Sequence, residues 1–488
     1  MSPITILLII AVYFGVLLII SRISMRTLDN EGFFVGNRES PWWAVAIGMV
    51  GVSLSGVTFV SVPGWVISND MTYMQVIFGF FFGYYFVSKV LLPIYYKEKL
   101  TSIYTLLERR IGASSHQVGA VFFLLSKSIG AAARMYLITL VLHQLIGEPL
   151  GMAYWMTALA CIVLIWGYTH RGGIQTLVWS DILQTISLIA ALVLIIGTAI
   201  SKLGYSPMEA VQAVAESEHC RIFCWDWHSS QFFVKQFLSG IFMVIVMTGI
   251  DQDMMQKNLS CRSLPEAQRN MNCYSLAFLP CNLLFLALGV LLVILLQQQG
   301  LDLPANGDTL LPGMISMGLL GHGAEILFVL GITAAAFSSA DSAMTALTTS
   351  CCVDLLHSDR LPEERASKVR QMMHIVVAIV MLGMMLSFNA LNQKSMIDAV
   401  YTIAAYTYGP LLGLFSFALL AHRRVEAHWA TLLIGCAIIP VVCYFIQGLL
   451  ARTVGYEMGY ELLILSGALT YLYLTLLSYL NKHTSHAD

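Results

Sequence analysis

The stretch GITAAAFSSADSAMTALTTSCCVD, residues 331–354, lies inside a long apolar segment yet carries a run of hydroxyls and one carboxylate in its middle. On a helix, Ala335, Ser338, Ser339 and Ser342 stand at i, i+3, i+4 and i+7 and share one face, with Asp341 and Thr345 beside it. An unpartnered Asp at the centre of a bilayer costs roughly 2.5–3.5 kcal/mol on insertion scales, so Asp341 needs a partner or a task. The rest of the chain reads as scaffolding around this polar stripe.

Working outward, 58% of the 488 residues are hydrophobic and only 11% are charged. Soluble domains carry about 25% charged residues, so the composition is that of a polytopic membrane protein whose surroundings are a lipid bilayer. The net charge of −2 is near neutral, and no basic run suggests a nucleic-acid partner, so none is expected. Hydropathy predicts about thirteen spans: 4–22, 42–66, 72–97, 117–145, 151–168, 177–201, 233–256, 271–298, 323–354, 370–391, 394–421, 427–449 and 460–480. The first has no positive residue before it but Arg22 and Arg26 after it, the reverse of a signal peptide, which makes it a retained anchor. With the N-terminus outside and the C-terminus cytoplasmic, eighteen of the 26 Lys and Arg fall on the inner side, Lys257 among them. Five fall outside, and Lys89, Lys127 and Arg134 lie within spans. That asymmetry orients the chain in a plasma or inner membrane. The ten cysteines are scattered singly in apolar segments apart from Cys220 and Cys224, which share a polar loop and can pair there. No Cys/His spacing supports zinc.

An odd number of spans separates corresponding members of 42–201 and 233–421, so these two sets of five helices run in opposite orientation, the layout of an inverted-repeat transporter. Residues 1–41 and 422–488 are then peripheral, and 202–232 is an external loop. The first helix of each set looks breakable. GMVGVSLSGVTFVSVPG concentrates Gly48, Gly51, Gly56, Pro63 and Gly64 among hydroxyls, and Thr248-Gly249 precedes the acids Asp251 and Asp253. Discontinuous helices expose carbonyls and dipole ends at the midplane, where ions and substrates bind.

A hard cation such as Na⁺ is served by hydroxyls, carbonyls and carboxylates. The same stripe can also be a seam of small residues for close helix packing, and Thr348, Thr349 and Ser350 fit that reading. For residues 338–342 the neighbouring carboxylate favours a cation. Asp181 is a second acid, either facing water at an interface or sharing a cation path with Asp341. Arg134 and Lys127 lie seven residues apart on one helix face. Arg134 is too deep to snorkel, and its fork suits a carboxylate, either internal or on a bound anionic solute. Ser55, Thr58 and Gln75 are candidate donors to the same group.

The motifs FFVGNRESPWWAVAIGMVGVSLSG, KEKLTSIYTLLERRIG, GGIQTLVWSDILQ, GIDQDMMQKNLSCRSLPEAQRN, AAAFSSADSAMTAL and YGPLLGLFSFALL occur in this order. Together they resemble the sodium:solute symporter family along nearly the whole chain. The resemblance implies an all-α, leucine-transporter-like five-plus-five fold, alternating access, and coupling to one or two Na⁺ ions, with the chain working as a monomer. It implies a first Na⁺ site from the carbonyls of Gly51, Leu54 and Ala335 and the hydroxyls of Ser338 and Ser339. A second site would use Asp181, Ser338, Asp341 and Ser342. There Asp341 replaces the serine usual in that subgroup and reads as sodium ligand, proton carrier or structural acid. Ser53, Val57 and Thr58 replace the polar set of the sugar-transporting members. Ser55, Thr58 and Arg134, with Gln75, instead resemble the carboxylate-binding set of bacterial sialic acid symporters. An anionic small molecule such as sialic acid is therefore the expected solute, with a neutral sugar, amino acid or vitamin-like solute as the alternative. No HExxH motif or nucleophile–base pair marks an enzyme. No inside loop is long enough to hold a signalling domain.

Overall fold

The structure, a computed structural model, describes residues 3–24, 30–391, 396–456 and 458–484. Arg26 and Lys394, which entered the count of sided charges, lie outside these, as do residues 485–488. The long helices are α1 (Pro3–Ser24), α2 (Trp42–Ser53), α3 (Gly56–Asn69), α4 (Tyr73–Phe86), α5 (Ala113–Leu142), α6 (Tyr154–Leu203), α7 (Phe233–Val244) and α8 (Gln252–Leu259). They continue as α9 (Leu264–Gln298), α10 (Gly321–Ser350), α11 (Glu363–Leu391), α12 (Met396–Leu420), α13 (Trp429–Thr453) and α14 (Leu462–Thr484).

Ten described helices are long and apolar enough to cross a membrane, and twelve crossings result if each of two bent pairs is one span. The expected spans 151–168 and 177–201 are the two arms of α6, which is two helices meeting at a kink at Gly173, where φ 51° and ψ −142° suit glycine.

The two bent pairs are α2–α3, at 55°, and α7–α8, at 63°. These are the helices that open the two expected sets of five. In the first, Leu54 (ψ 62°) and Ser55 (ψ 171°) leave helical geometry. The segment Ser53-Leu54-Ser55-Gly56 has little helix propensity, because serine hydroxyls compete for backbone partners and glycine loses most entropy on ordering. Pro63 then denies α3 one internal N–H. In the second, a π turn over Ile245–Gly249 ends α7, and Asp251 restarts the chain as the N-cap of α8. Its carboxylate accepts from the backbone N–H of Asp253 (3.0 Å) and Met254 (3.3 Å). The Ser40 N–H donates to the Ser260 carbonyl at 3.0 Å, which joins the start of α2 to the end of α8.

Against this pair of broken helices, α10 packs along α6, and α6 along α2. Close approach depends on glycine. A Cβ at Gly51 would overlap Thr185 Oγ1 of α6, and one at Gly64 would strike the backbone carbonyl of Gly307 in the loop over α3. Backbone cannot yield as a side-chain tip can. Gly64→Val is therefore expected to cost about 1–3 kcal/mol, read as a fall of several degrees in the thermal melt of the detergent-purified protein. Gly197→Ala, in open space on α6, serves as the control and should leave the melt unchanged or slightly raised. Equal melting of the Gly64 variant and wild type would contradict the packing described.

Candidate functional site

The polar stripe lies on α10 and is wholly buried, with Ser338, Ser339, Asp341 and Ser342 all under 5% exposed. Its hydroxyls face two different neighbours. Ser339 Oγ donates to the Val52 carbonyl at 3.3 Å, in the last turn of α2 between Gly51 and Leu54. Ala335 lies one turn earlier on the same face. At the first expected cation position the structure thus joins α10 to the break in α2, through Val52. Thr185 of α6 holds α2 from behind, donating to the Ile47 carbonyl at 3.0 Å and to the Asp181 carbonyl at 2.7 Å.

Ser338 turns away from that position. Its Oγ donates to Asp181 Oδ1 at 2.9 Å. The other carboxylate oxygen of Asp181 receives the Lys257 ammonium at 2.5 Å, and the same Nζ donates to Ser342 Oγ at 2.6 Å. Asp341 accepts from the Ser342 backbone N–H at 2.5 Å and from the Tyr168 hydroxyl at 2.6 Å. The four residues expected to form a second sodium site are therefore gathered, but around a lysine. Lys257 is 1% exposed. Sequence reading placed it among the charges of the aqueous inner face, because it follows a helix break in a polar run. The signal that could have found it is electrostatic: two buried acids need a buried cation, and Lys257 is the lysine just after the break in the second broken helix.

A cavity of about 80 Å³ lies between the broken helices, lined by Ser53, Ser55, Thr58, Tyr84, Arg134 and Thr248 among others. Arg134, on α5, makes no hydrogen bond or ion pair within the described residues, and it also borders a second hollow beside Lys127 and Asp251. The nearby acids Asp251 and Asp253 share one lysine. Lys127 reaches Asp251 at 3.1 Å and Asp253 at 2.7 Å, and Tyr408 donates to Asp251 at 2.7 Å. Of the two readings of Arg134, the structure contains no internal salt bridge for it among the described residues. Tyr274 was missed by sequence reading, as was Tyr84. Hydroxyl contacts of 2.5 Å from Ser53 to Tyr274 and of 2.6 Å from Tyr274 to Tyr84 make one chain at the cavity wall.

Gln75 does not join this group. Its amide donates to the Gln231 carbonyl at 2.9 Å and accepts from the Cys224 N–H at 3.1 Å, so both ends are used in fastening the loop 202–232. Cys220 and Cys224 in that loop are free thiols.

The sequence profile of the sodium:solute symporter family matches residues 33–435. The chain is 26% identical to the sodium/sialic acid symporter SiaT of Proteus mirabilis, over 91% of this chain and 89% of that one. It is 24% identical to the sodium/sialic acid symporter NanT of Aliivibrio fischeri, over 86% and 83%. Among solved structures, a Na⁺-coupled sialic acid symporter in a substrate-bound outward-open state superimposes with a TM-score of 0.81, at 22% identity and over 97% and 98% of the two chains. The fold is thus that of a membrane transporter, as the arrangement of broken helices had indicated. This chain belongs to the sodium:solute symporter family.

Proposed function

We propose that this chain is a Na⁺-coupled symporter that brings sialic acid or a closely related acidic sugar into the cell by alternating access. The observation that carries the substrate is Arg134: a partly buried guanidinium, without an internal partner among the described residues, at a cavity whose other polar groups are hydroxyls. A guanidinium fork matches a carboxylate in charge and geometry. Hydroxyls such as Ser55 and Thr58 both donate and accept, which suits the hydroxyl-rich body of a sugar. The substrate of the two bacterial relatives named above is of this class.

Sodium in this reading binds where Ser339 meets the broken end of α2, with the carbonyls of Gly51, Leu54 and Ala335 as further ligands; the Ser338 hydroxyl joins them only by rotating away from Asp181. The break supports it, since departure from helical geometry at Leu54 and Ser55 interrupts the hydrogen-bond ladder at the end of α2. Bound Na⁺ ties α2 to α10 and completes the outward-facing pocket; solute follows, the helices rock, and both are released inward. The cavity is smaller than the ~300–1,000 Å³ of typical ligand pockets, so admitting a sugar requires its lining helices to separate. Each Na⁺ crossing 100 mV supplies about 2.3 kcal/mol, and each tenfold gradient about 1.4 kcal/mol. Residues 42–201 and 233–421 act as the two inverted repeats, a division supported by the bent pair at the head of each. The N-terminus lies outside, and a single chain is the working unit.

Arg134→Ala should lower the kcat/KM for N-acetylneuraminate uptake into proteoliposomes by a hundredfold or more, in line with the roughly 2–5 kcal/mol lost when one partner of a desolvated charge pair is truncated. Arg134→Lys, which keeps the charge and loses the fork, should fall between. Uptake by the alanine variant at the wild-type rate would remove the acidic-sugar reading. Ser339→Ala should raise the half-saturating Na⁺ concentration roughly tenfold, equivalent to ~1.4 kcal/mol. An unshifted sodium curve would eliminate the position between α2 and α10.

A further inference from the structure

The four residues expected to hold a second sodium ion are Asp181, Ser338, Asp341 and Ser342, and their oxygens are already supplied with protons. Ser338 donates to Asp181 Oδ1 (2.9 Å) and Lys257 to Asp181 Oδ2 (2.5 Å). Lys257 also donates to Ser342 Oγ (2.6 Å), while Ser342 Oγ donates to Asp341 Oδ1 (3.3 Å) and Tyr168 to Asp341 Oδ2 (2.6 Å). The charge at its centre is an ammonium set between two carboxylates. Sodium needs oxygen lone pairs turned toward it. Here Asp181 Oδ2 and Ser342 Oγ are turned toward Lys257 instead. The lysine is held in place, since all eight residues of α8 are buried and Asn258, next in sequence, is fixed by Asn270 at 2.8 Å. Expelling it to admit Na⁺ would leave a buried cation without its partner.

We infer that the Lys257 ammonium takes the place of a second sodium ion, so that this carrier binds and moves one Na⁺ per cycle. The inference rests on the sodium-coupled reading above and specifies its stoichiometry. Its consequence is electrical. One Na⁺ moving with one singly charged acidic sugar carries no net charge, so steady-state accumulation is limited by the sodium gradient and is indifferent to membrane potential. Two Na⁺ would square the chemical term and add about fifty-fold per 100 mV.

Equilibrium binding of radiolabelled Na⁺ to the purified chain counts the ions without any organic substrate. One ion per chain is expected. Two would overturn the inference, and none would overturn it together with the sodium reading beneath it. Lys257→Met removes the charge and retains an apolar stem, and its count is expected to rise to two; a count that stays at one would show that the ammonium was not standing in for an ion. Should that variant fail to fold, the unmodified protein still decides. In proteoliposomes with a tenfold inward Na⁺ gradient, N-acetylneuraminate should accumulate about tenfold. A valinomycin-imposed, inside-negative potential should not change that ratio. A ratio that climbs with the potential would contradict one-ion coupling.

Discussion

The lysine–aspartate contact between Lys257 and Asp181 organises the centre of this protein. It joins α8 to α6, and through Ser342 it reaches α10, so three helices meet on one ammonium group. Within a bilayer no water is available to answer a charge, and each buried ion must find its complement inside the fold. The same constraint repeats nearby. Lys127 answers Asp251 and Asp253, with Tyr408 as a further donor. Once these pairs are drawn, Arg134 is the cation in the core region left without an internal answer among the described residues. It borders the cavity and the hollow that Asp251 also lines, and a carboxylate on the carried solute is the partner proposed for it.

Helix geometry follows from a related constraint on backbone groups. Where α2 ends, carbonyls lose their helical partners, and burial makes that costly unless something replaces them. Ser339 supplies one replacement at Val52. The tight glycine contacts at Gly48 and Gly51 bring α6 close enough for Asp181 and Thr185 to reach α2 and α10 together. The site is therefore a product of packing as much as of its polar residues.

Much of this was legible in the sequence, for identifiable reasons. The stripe on α10 stood out because hydroxyls and an acid are expensive in an apolar segment, and the broken α2 because glycine and serine accumulate there. Arg134 was visible for the same reason as Asp341. Lys257 was not, because its local sequence QDMMQKNLS is polar and reads as aqueous; only tertiary packing buries α8. Gln75 misled in the opposite direction. Its position near the head of α4 suited a binding role, but a loop more than 140 residues away captures both ends of its amide. The expected spans 151–168 and 177–201 fall on either side of the kink at Gly173, as their separate apolar runs imply.

The two cation positions on α10 differ in kind, and the difference bears on how such a machine can couple. At Lys257 the counter-charge is covalently part of the chain, so the link among α6, α8 and α10 is present whatever the sodium concentration. At Ser339 the link to α2 is one hydroxyl–carbonyl bond of 3.3 Å, long for its type and modest in strength. An ion can add little where a tethered ammonium already sits. It can add much where carbonyls stand exposed at a helix break. In the proposed reading the part of the fold that sodium tightens is therefore the contact between α2 and α10, one residue from Ser53 of the cavity wall, and a single ion there connects the gradient to the solute.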